Sequence, residues 1–282
     1  MQPSPAVLIA RAAAQIGAAG LPSGVADARI LLAHALGVAS AQLAVTRDVT
    51  PDQVARFDQL VARRVLGEPL QYLTGVAFFR HETLAVGPGV LCPRPETEGL
   101  VQLVIDWINQ RRLVCPRVVD LGTGSGAIAA ALARETKADV CAVEASPQAY
   151  RYALENLAGT KVRLQLGDWG DAFRQLDGQV DVVVANPPYV PAGTVLPPDV
   201  AGHEPAEALF GGDDGLDGLR GVLPVARRLL RPGGLLACEH DDLQGSSAPD
   251  LVRAAGFVEV SDHVDLAGRP RYLVAHRQGG DI

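Results

Sequence analysis

Asn186-Pro187-Pro188-Tyr189 is the run in this 282-residue chain whose residue types point to the most specific chemistry. The Asn186 side-chain oxygen and the Pro187 carbonyl are two acceptors set close together along the backbone. As a pair they match the two N–H bonds of a planar NH2 group. Pro188 drives residue 187 toward an extended conformation, which sets the direction of its carbonyl. Tyr189 offers a flat ring for a planar amide to pack on, and the negative face of that ring favours a cation. An amide nitrogen is a poor nucleophile, because its lone pair is delocalised into the carbonyl. A site that pins both hydrogens and aims the nitrogen compensates through orientation, which contributes up to ~7–11 kcal/mol in well-aligned systems. No strong general base is needed in this reading.

Three further segments carry matching groups. Val118 to Gly126 reads Val-Val-Asp-Leu-Gly-Thr-Gly-Ser-Gly, a strand running into a helix. Glycines there let a ligand approach the backbone, and the helix start presents free N–H groups. The spacing Gly122-x-Gly124-x-Gly126, with Thr123 and Ser125 between, is not the G-x-G-x-x-G of a dinucleotide site. A nucleoside ligand without a pyrophosphate suits it; a tight turn with no ligand is the plainer alternative. Glu144 ends the next strand, where a carboxylate is placed to accept from both hydroxyls of a ribose, in S-adenosylmethionine as in NAD. Asp168-Trp169 ends the third strand. There Asp168 is a candidate acceptor for an adenine amino group and Trp169 an apolar wall, with a partly buried core Trp as the alternative.

These segments need a frame to hold them. Residues 1–72 read as a small all-α domain. Val7, Leu8, Ala12 and Ile16 form one apolar face, and Ile30, Leu31, Ala35 and Leu36 form another. Gly37 stops the second helix, and Thr50-Pro51 caps a third that runs through Leu66 to Gly67. Residues 73–96 read as a hairpin linker, interrupted by Gly87-Pro88-Gly89 and Pro93-Arg94-Pro95. From 97 to 282 helices and strands alternate, which implies an α/β fold with a mostly parallel sheet covered on both faces. Seven strands are expected, at 117–121, 139–143, 162–166, 180–185, 235–238, 257–260 and 271–275. The last two are joined by a short polar turn, so the last strand is antiparallel.

Composition excludes several other functions. Lys plus Arg is 25 and Asp plus Glu is 32, a net charge of −7, which does not suit a phosphate-backbone groove. Cys92, Cys115, Cys141 and Cys238 form no CxxC pair, and the six histidines are scattered, so no metal site is expected. The first residues lack a basic start, and no stretch reaches ~18 uninterrupted apolar residues. A cytoplasmic monomer is expected, with no membrane contact. There is no G-x-S-x-G, P-loop or H-E-x-x-H.

Together these motifs resemble class I S-adenosylmethionine methyltransferases, whose sheet is Rossmann-like. Asn-Pro-Pro-Tyr is shared with adenine-N6 methyltransferases, so it does not settle the substrate. More of the chain is similar to the peptide chain release factor N5-glutamine methyltransferases. The similar runs are Gly67 to Gly75 (Gly-Glu-Pro-Leu-Gln-Tyr-Leu-Thr-Gly), Pro93 to Glu98 (Pro-Arg-Pro-Glu-Thr-Glu), Glu204-Pro205, Ala208-Leu209, Gly211-Gly212, Asp214-Gly215-Leu216, Arg220, Pro232-Gly233-Gly234, Glu239 and Asp265 to Arg269. The resemblance implies methylation of the glutamine in the Gly-Gly-Gln loop of class I release factors, with S-adenosylhomocysteine as by-product. It implies cofactor contacts from Gly122 to Gly126, Glu144, Trp169 and Asn186, a grip on glutamine from Asn186 to Tyr189, and a helical domain that helps hold the release factor.

The chain departs from the family pattern in three places. Glu239-His240-Asp241-Asp242 replaces Glu, a hydrophobic residue and Gly. Arg80-His81-Glu82 stands where a glycine is common, and Glu144 stands for the usual Asp. Two rival substrates are a ribosomal-protein glutamine and an adenine N6 in nucleic acid. The second predicts a basic recognition domain, whereas this chain has only Lys137 and Lys161. A fold that has lost turnover is a further alternative, opposed by the intact glycine loop and Asn-Pro-Pro-Tyr.

Overall fold

The computed structural model describes residues 3–279. The chain divides into two units, Met1–Val76 with Leu196–His203, and Ala77–Val195 with Glu204–Ile282. The loop 196–203 groups with the helices although it lies far along the sequence.

The helical unit is built from α1 (Pro5–Ala18), α2 (Gly24–Leu36), α3 (Pro51–Val65) and the short α4 (Leu70–Thr74). Leu8, Ala12 and Ile16 of α1 are buried at helical spacing, and Leu31 and Ala35 of α2 meet them in one core. Val7 and Ile30, expected on those faces, are exposed; each lies one position off the buried stripe, about 100° around the helix. Gly37 ends α2 in the left-handed conformation. Thr50 and Gln53 cap α3 reciprocally, with the Gln53 N–H on Thr50 Oγ1 and the Thr50 N–H on Gln53 Oε1. Arg64 is buried, and its Nε donates to Asp27 at 2.7 Å.

In the second unit a hairpin, β1 (Val76–Phe79) and β2 (Glu82–Ala85), precedes α5 (Thr97–Gln110). Its turn explains one departure from the family pattern. Arg80 takes φ +53°, a conformation that costs a non-glycine residue ~1–2 kcal/mol. Compensation comes from its guanidinium, which forms a two-pronged pair with Glu135 and reaches Gln102.

The main sheet has the strand order β5-β4-β3-β6-β7-β9-β8. The strands are β3 (Arg117–Leu121), β4 (Asp139–Glu144), β5 (Arg163–Leu166), β6 (Val180–Ala185), β7 (Leu230–Glu239), β8 (Phe257–Val264) and β9 (Pro270–Arg277). All pairs from β5 to β7 are parallel, and β9 is antiparallel to both neighbours. The strands β7 to β9 are longer than expected. Pro232-Gly233-Gly234 lies inside β7, where a register shift between Val180 and Val182 accommodates it. Alternation splits the core in two. Val118, Val140, Ala142, Val182 and Val184 pack with α5, α6 (Ala127–Glu135) and α7 (Pro147–Asn156); Val119, Cys141, Val143, Val183 and Ala185 pack with α8 (Asp217–Leu229) and α9 (Ser247–Ala254). The turn between β8 and β9 rests on Asp265, whose carboxylate accepts the N–H groups of Ala267 and Arg269. Among the described residues, no helix is long and apolar enough to cross a membrane.

Candidate active site

Strand register brings the chemistry-bearing segments together. Leu121, the last residue of β3, pairs with Val143 on one side and Ala185 on the other. Glu144 pairs with Leu166, and Ala185 with Cys238. The glycine loop, Glu144, Asp168-Trp169, Asn186 and Glu239 therefore leave the sheet at the same carboxyl edge. The order reverses between β3 and β6, the point where open α/β sheets form a ligand crevice.

A cavity of about 260 Å³ lies at that edge. Gly122, Gly124, Glu144, Asp168, Trp169, Asn186 and Pro188 line it. Glu144 is nearly buried, and each carboxylate oxygen accepts one backbone N–H, Gly124 at 2.8 Å and Ser146 at 2.7 Å. A carboxylate has about four acceptor sites, so it retains capacity for ligand hydroxyls. Trp169 closes one wall. Gly122 has φ +71°, and a Cβ there would stand 3.0 Å from the Trp169 ring. Asp168 is exposed, and its Oδ1 holds the Gly170 N–H at 2.7 Å.

Other expected residues are not on the cavity wall. The Thr123 hydroxyl turns inward to donate to Asp120 at 2.5 Å. Ser125 is buried, and its carbonyl accepts from Asn156. Gly126 has φ +84° and faces Ala153 and Leu157 of α7. Pro187 is buried, with its Cβ against Gly218. The Tyr189 hydroxyl donates to Glu239 Oε1 at 3.1 Å. Burial and the Glu239 charge push the Tyr189 phenol well above its ordinary pKa, so it remains a donor.

The sequence matches known proteins along nearly its whole length. Residues 8–75 match the PrmC N-terminal domain, and residues 88–199 match the methyltransferase small domain. A release factor glutamine methyltransferase of Streptomyces coelicolor is 45% identical, over 95% of this chain and 96% of that protein. Another, of Mycolicibacterium smegmatis, is 46% identical with the same coverage. This chain belongs to the release factor glutamine methyltransferase family. A relative of Streptomyces pristinaespiralis, 40% identical over 90% of this chain and 89% of its own, is a 4-amino-L-phenylalanine/4-methylamino-L-phenylalanine methyltransferase. In fold, the chain is similar to the T. thermophilus 16S rRNA N2 G1207 methyltransferase in complex with AdoMet and guanosine, with a TM-score of 0.55 and 21% identity over 72% of this chain and 50% of that one.

The family's glycine-rich run between Gly211 and Gly218 now has a physical reason. It packs directly on the backbone of Asn-Pro-Pro-Tyr. A Cβ on Gly211 would lie 2.4 Å from the Pro188 carbonyl oxygen, and one on Gly215, at φ +73°, would lie 2.2 Å from that of Tyr189. Gly215→Ala is expected to cost roughly 2–5 kcal/mol, from left-handed strain plus overpacking. Gly193→Ala, with φ +81° and open space, should cost only the strain part, ~1–2 kcal/mol. Denaturant melts of both variants check this; equal losses would refute the close-packing account.

Sequence reasoning gave no role to four polar residues that build the site in three dimensions. Glu204 is buried and joins two loops, accepting the Cys92 N–H at 3.0 Å and pairing with Arg94. Pro205 beside it, and Val90 and Leu91 near Cys92, line the cavity. Thr97 bonds to Asn186, and Glu239 to Tyr189. The fourth is Asp120, fully buried under the glycine loop. Burial raises its carboxyl pKa from an ordinary 3.8 to about 7, against the opposing hydrogen bonds of Thr123 and Ala129, with the Glu144 charge adding to the rise. As pH rises from about 4 to 7 the unfolded chain loses this proton before the folded one does. Folding stability should thus fall across that window, by on the order of 4 kcal/mol from this group, and level off above it. Asp120→Asn should flatten that slope. Urea titrations at pH 5 and pH 8 measure it; an unchanged difference between the two pH values would contradict the buried-acid assignment.

Proposed function

We propose that this enzyme transfers a methyl group from S-adenosylmethionine to the side-chain N5 of the glutamine in the Gly-Gly-Gln loop of class I release factors. The carrying observation is the placement of Asn186, which lines the cavity beside Glu144 while its Nδ2 is bonded to Thr97. That leaves its oxygen edge for a substrate NH2. The cavity fits a nucleoside in its donor set. A carboxylate stands ready for ribose hydroxyls, Val143 and Trp169 supply apolar walls, and the Gly122 position has no room for a side chain. When bound, S-adenosylmethionine supplies an electrophilic methyl on a positive sulfur. Asn186 Oδ1 and the Pro187 carbonyl accept the two amide N–H bonds, and Tyr189 packs against the amide plane. The transfer would form one N–C bond and break the methyl's bond to sulfur, leaving S-adenosylhomocysteine, while one amide proton passes to water. No metal takes part in this scheme.

Gly122 to Gly126 and Glu144 are assigned to the cofactor, with Asp168 and Trp169 around its base; Thr123, Ser125 and Gly126 serve by shaping the loop. Residues 1–72 are assigned to holding the release factor, and 73–96 to linking. The proposed setting is the cytoplasm, with the enzyme as a monomer and no nucleic acid or membrane required.

The Streptomyces pristinaespiralis relative acts on an aryl amine, another planar NH2 conjugated to a π system. Intact-mass analysis separates the two substrates. A class I release factor, its Gln→Ala loop variant, a ribosomal-protein fraction and 4-amino-L-phenylalanine are each incubated with enzyme and S-adenosylmethionine. One added methyl on the normal factor alone is expected. Methylation of the Gln→Ala variant, or only of another substrate, would overturn the assignment.

A further inference from the structure

The run Pro93–Glu98 has no role in the scheme above, yet it supplies the hydroxyl that touches Asn186. Thr97 opens α5 and is 4% exposed. Its Oγ1 accepts from Asn186 Nδ2 at 3.1 Å. Burial raises the pKa of the nearby Glu239 carboxyl, and the Thr97 and Tyr189 hydroxyls oppose that rise. The Tyr189 hydroxyl donates to its Oε1 at 3.1 Å, and its Oε2 is buried with no hydrogen-bond partner among the described residues. Arg271 stands nearby, its guanidinium carbon 6.0 Å from the Tyr189 ring centre.

A threonine hydroxyl has one proton to give. A proton turned toward the Glu239 side leaves the oxygen to accept from Asn186, the direction of the 3.1 Å bond. The two ends of an asparagine amide are nearly the same size, so partners and not shape decide which way it faces. A flipped Asn186 would present NH2 to the substrate NH2, donor against donor. We infer that Thr97 locks the Asn186 amide with its oxygen toward the substrate, and is a positioning residue for the pinned-amide step. Glu239 anchors Tyr189 at the other end of the motif. Gln244 completes the hold, its Nε2 donating to the Tyr189 carbonyl at 3.2 Å. This inference rests on the amide-substrate reading proposed above.

Thr97→Val keeps the shape and removes the hydroxyl; Thr97→Ser keeps the hydroxyl. Both variants are assayed on the release factor beside the wild type. Thr97→Val should lower kcat roughly ten- to hundred-fold, the effect of one lost bond that strands a partner. Its affinity for S-adenosylmethionine and its melting temperature should stay near wild type, and Thr97→Ser should restore most of the rate. A second measurement needs no substrate. The Asn186 Nδ2 protons, assigned in NMR spectra against Asn186→Ala, should exchange slowly with water in wild type and Thr97→Ser and quickly in Thr97→Val. Unchanged exchange in Thr97→Val, or full activity of that variant, overturns the inference. Failure of wild type to methylate the factor would instead remove the proposed substrate, and the exchange result would still decide the orientation of Asn186.

Discussion

Asn186→Ala is expected to slow methyl transfer by roughly 10²–10³-fold or more, the usual loss when one preorganised partner of the reacting group is removed. The protein should remain folded. Asn186 is only partly buried, and its side chain makes one described hydrogen bond, to Thr97. Ala185 and Pro187 on either side stay buried, so the strand end is held without it. The loss should fall on kcat, because the pinned geometry serves the nitrogen as it attacks. Single-turnover mass analysis with saturating S-adenosylmethionine, paired with a thermal melt, tests this. A folded and fully active Asn186→Ala protein would end the pinned-amide mechanism.

Glu144→Ala should behave in the opposite way. A ligand hydroxyl bonded to a charged acceptor contributes ~1.5–3 kcal/mol net, so losing two should lower cofactor affinity roughly a hundred-fold or more. At saturating cofactor the rate should recover most of its wild-type value. The carboxylate also ties the N–H groups of Gly124 and Ser146, and so it shapes the loop as well as binding the ligand. Glu144→Asp, which restores an acid one methylene shorter, should regain much of the affinity. Calorimetric titration with S-adenosylhomocysteine, set beside steady-state rates, separates the two effects. A pure rate defect with intact affinity would refute the ribose assignment.

In the proposed scheme the two variants divide the site as the sheet does, with cofactor binding assigned to the ends of β3 and β4 and amide handling to the end of β6. That division was legible because each motif is local. Residues 118–126 carry their own strand, turn and helix start, and Asn186 to Tyr189 carry both acceptors on adjacent residues. The seven strands were likewise legible from short apolar runs, though the reading began β7 at Leu235, whereas the strand starts at Leu230. Helix faces were less secure. Val7 and Ile30 are as apolar as their buried neighbours, and only the direction of packing leaves them exposed.

The supporting residues were not legible, for a physical reason. Glu204 meets Cys92 112 positions away, and Thr97 meets Asn186 across 89. Nothing in a local window marks such a pairing. Gly211 and Gly215 carry no local sign of their role, which is that their lack of a side chain lets them lie against the Pro188 and Tyr189 carbonyls. The departure at Glu239-His240-Asp241-Asp242 also resolves only in three dimensions. Glu239 keeps its bond to Tyr189, His240 Nε2 meets Asp262 at 2.9 Å, and Asp241 caps the turn that carries Gln244.

The sequence by itself determined the reaction type and the cofactor class, because acceptor identity, glycine spacing and strand-end acids are properties of neighbouring residues. Only the tertiary structure decided which way the groups face. Parallel register set Glu239 beside Asn186, and the packing of α5 brought Thr97 under its amide. Orientation of a side chain is fixed by the partners that surround it, and those partners come from segments that are distant in the chain.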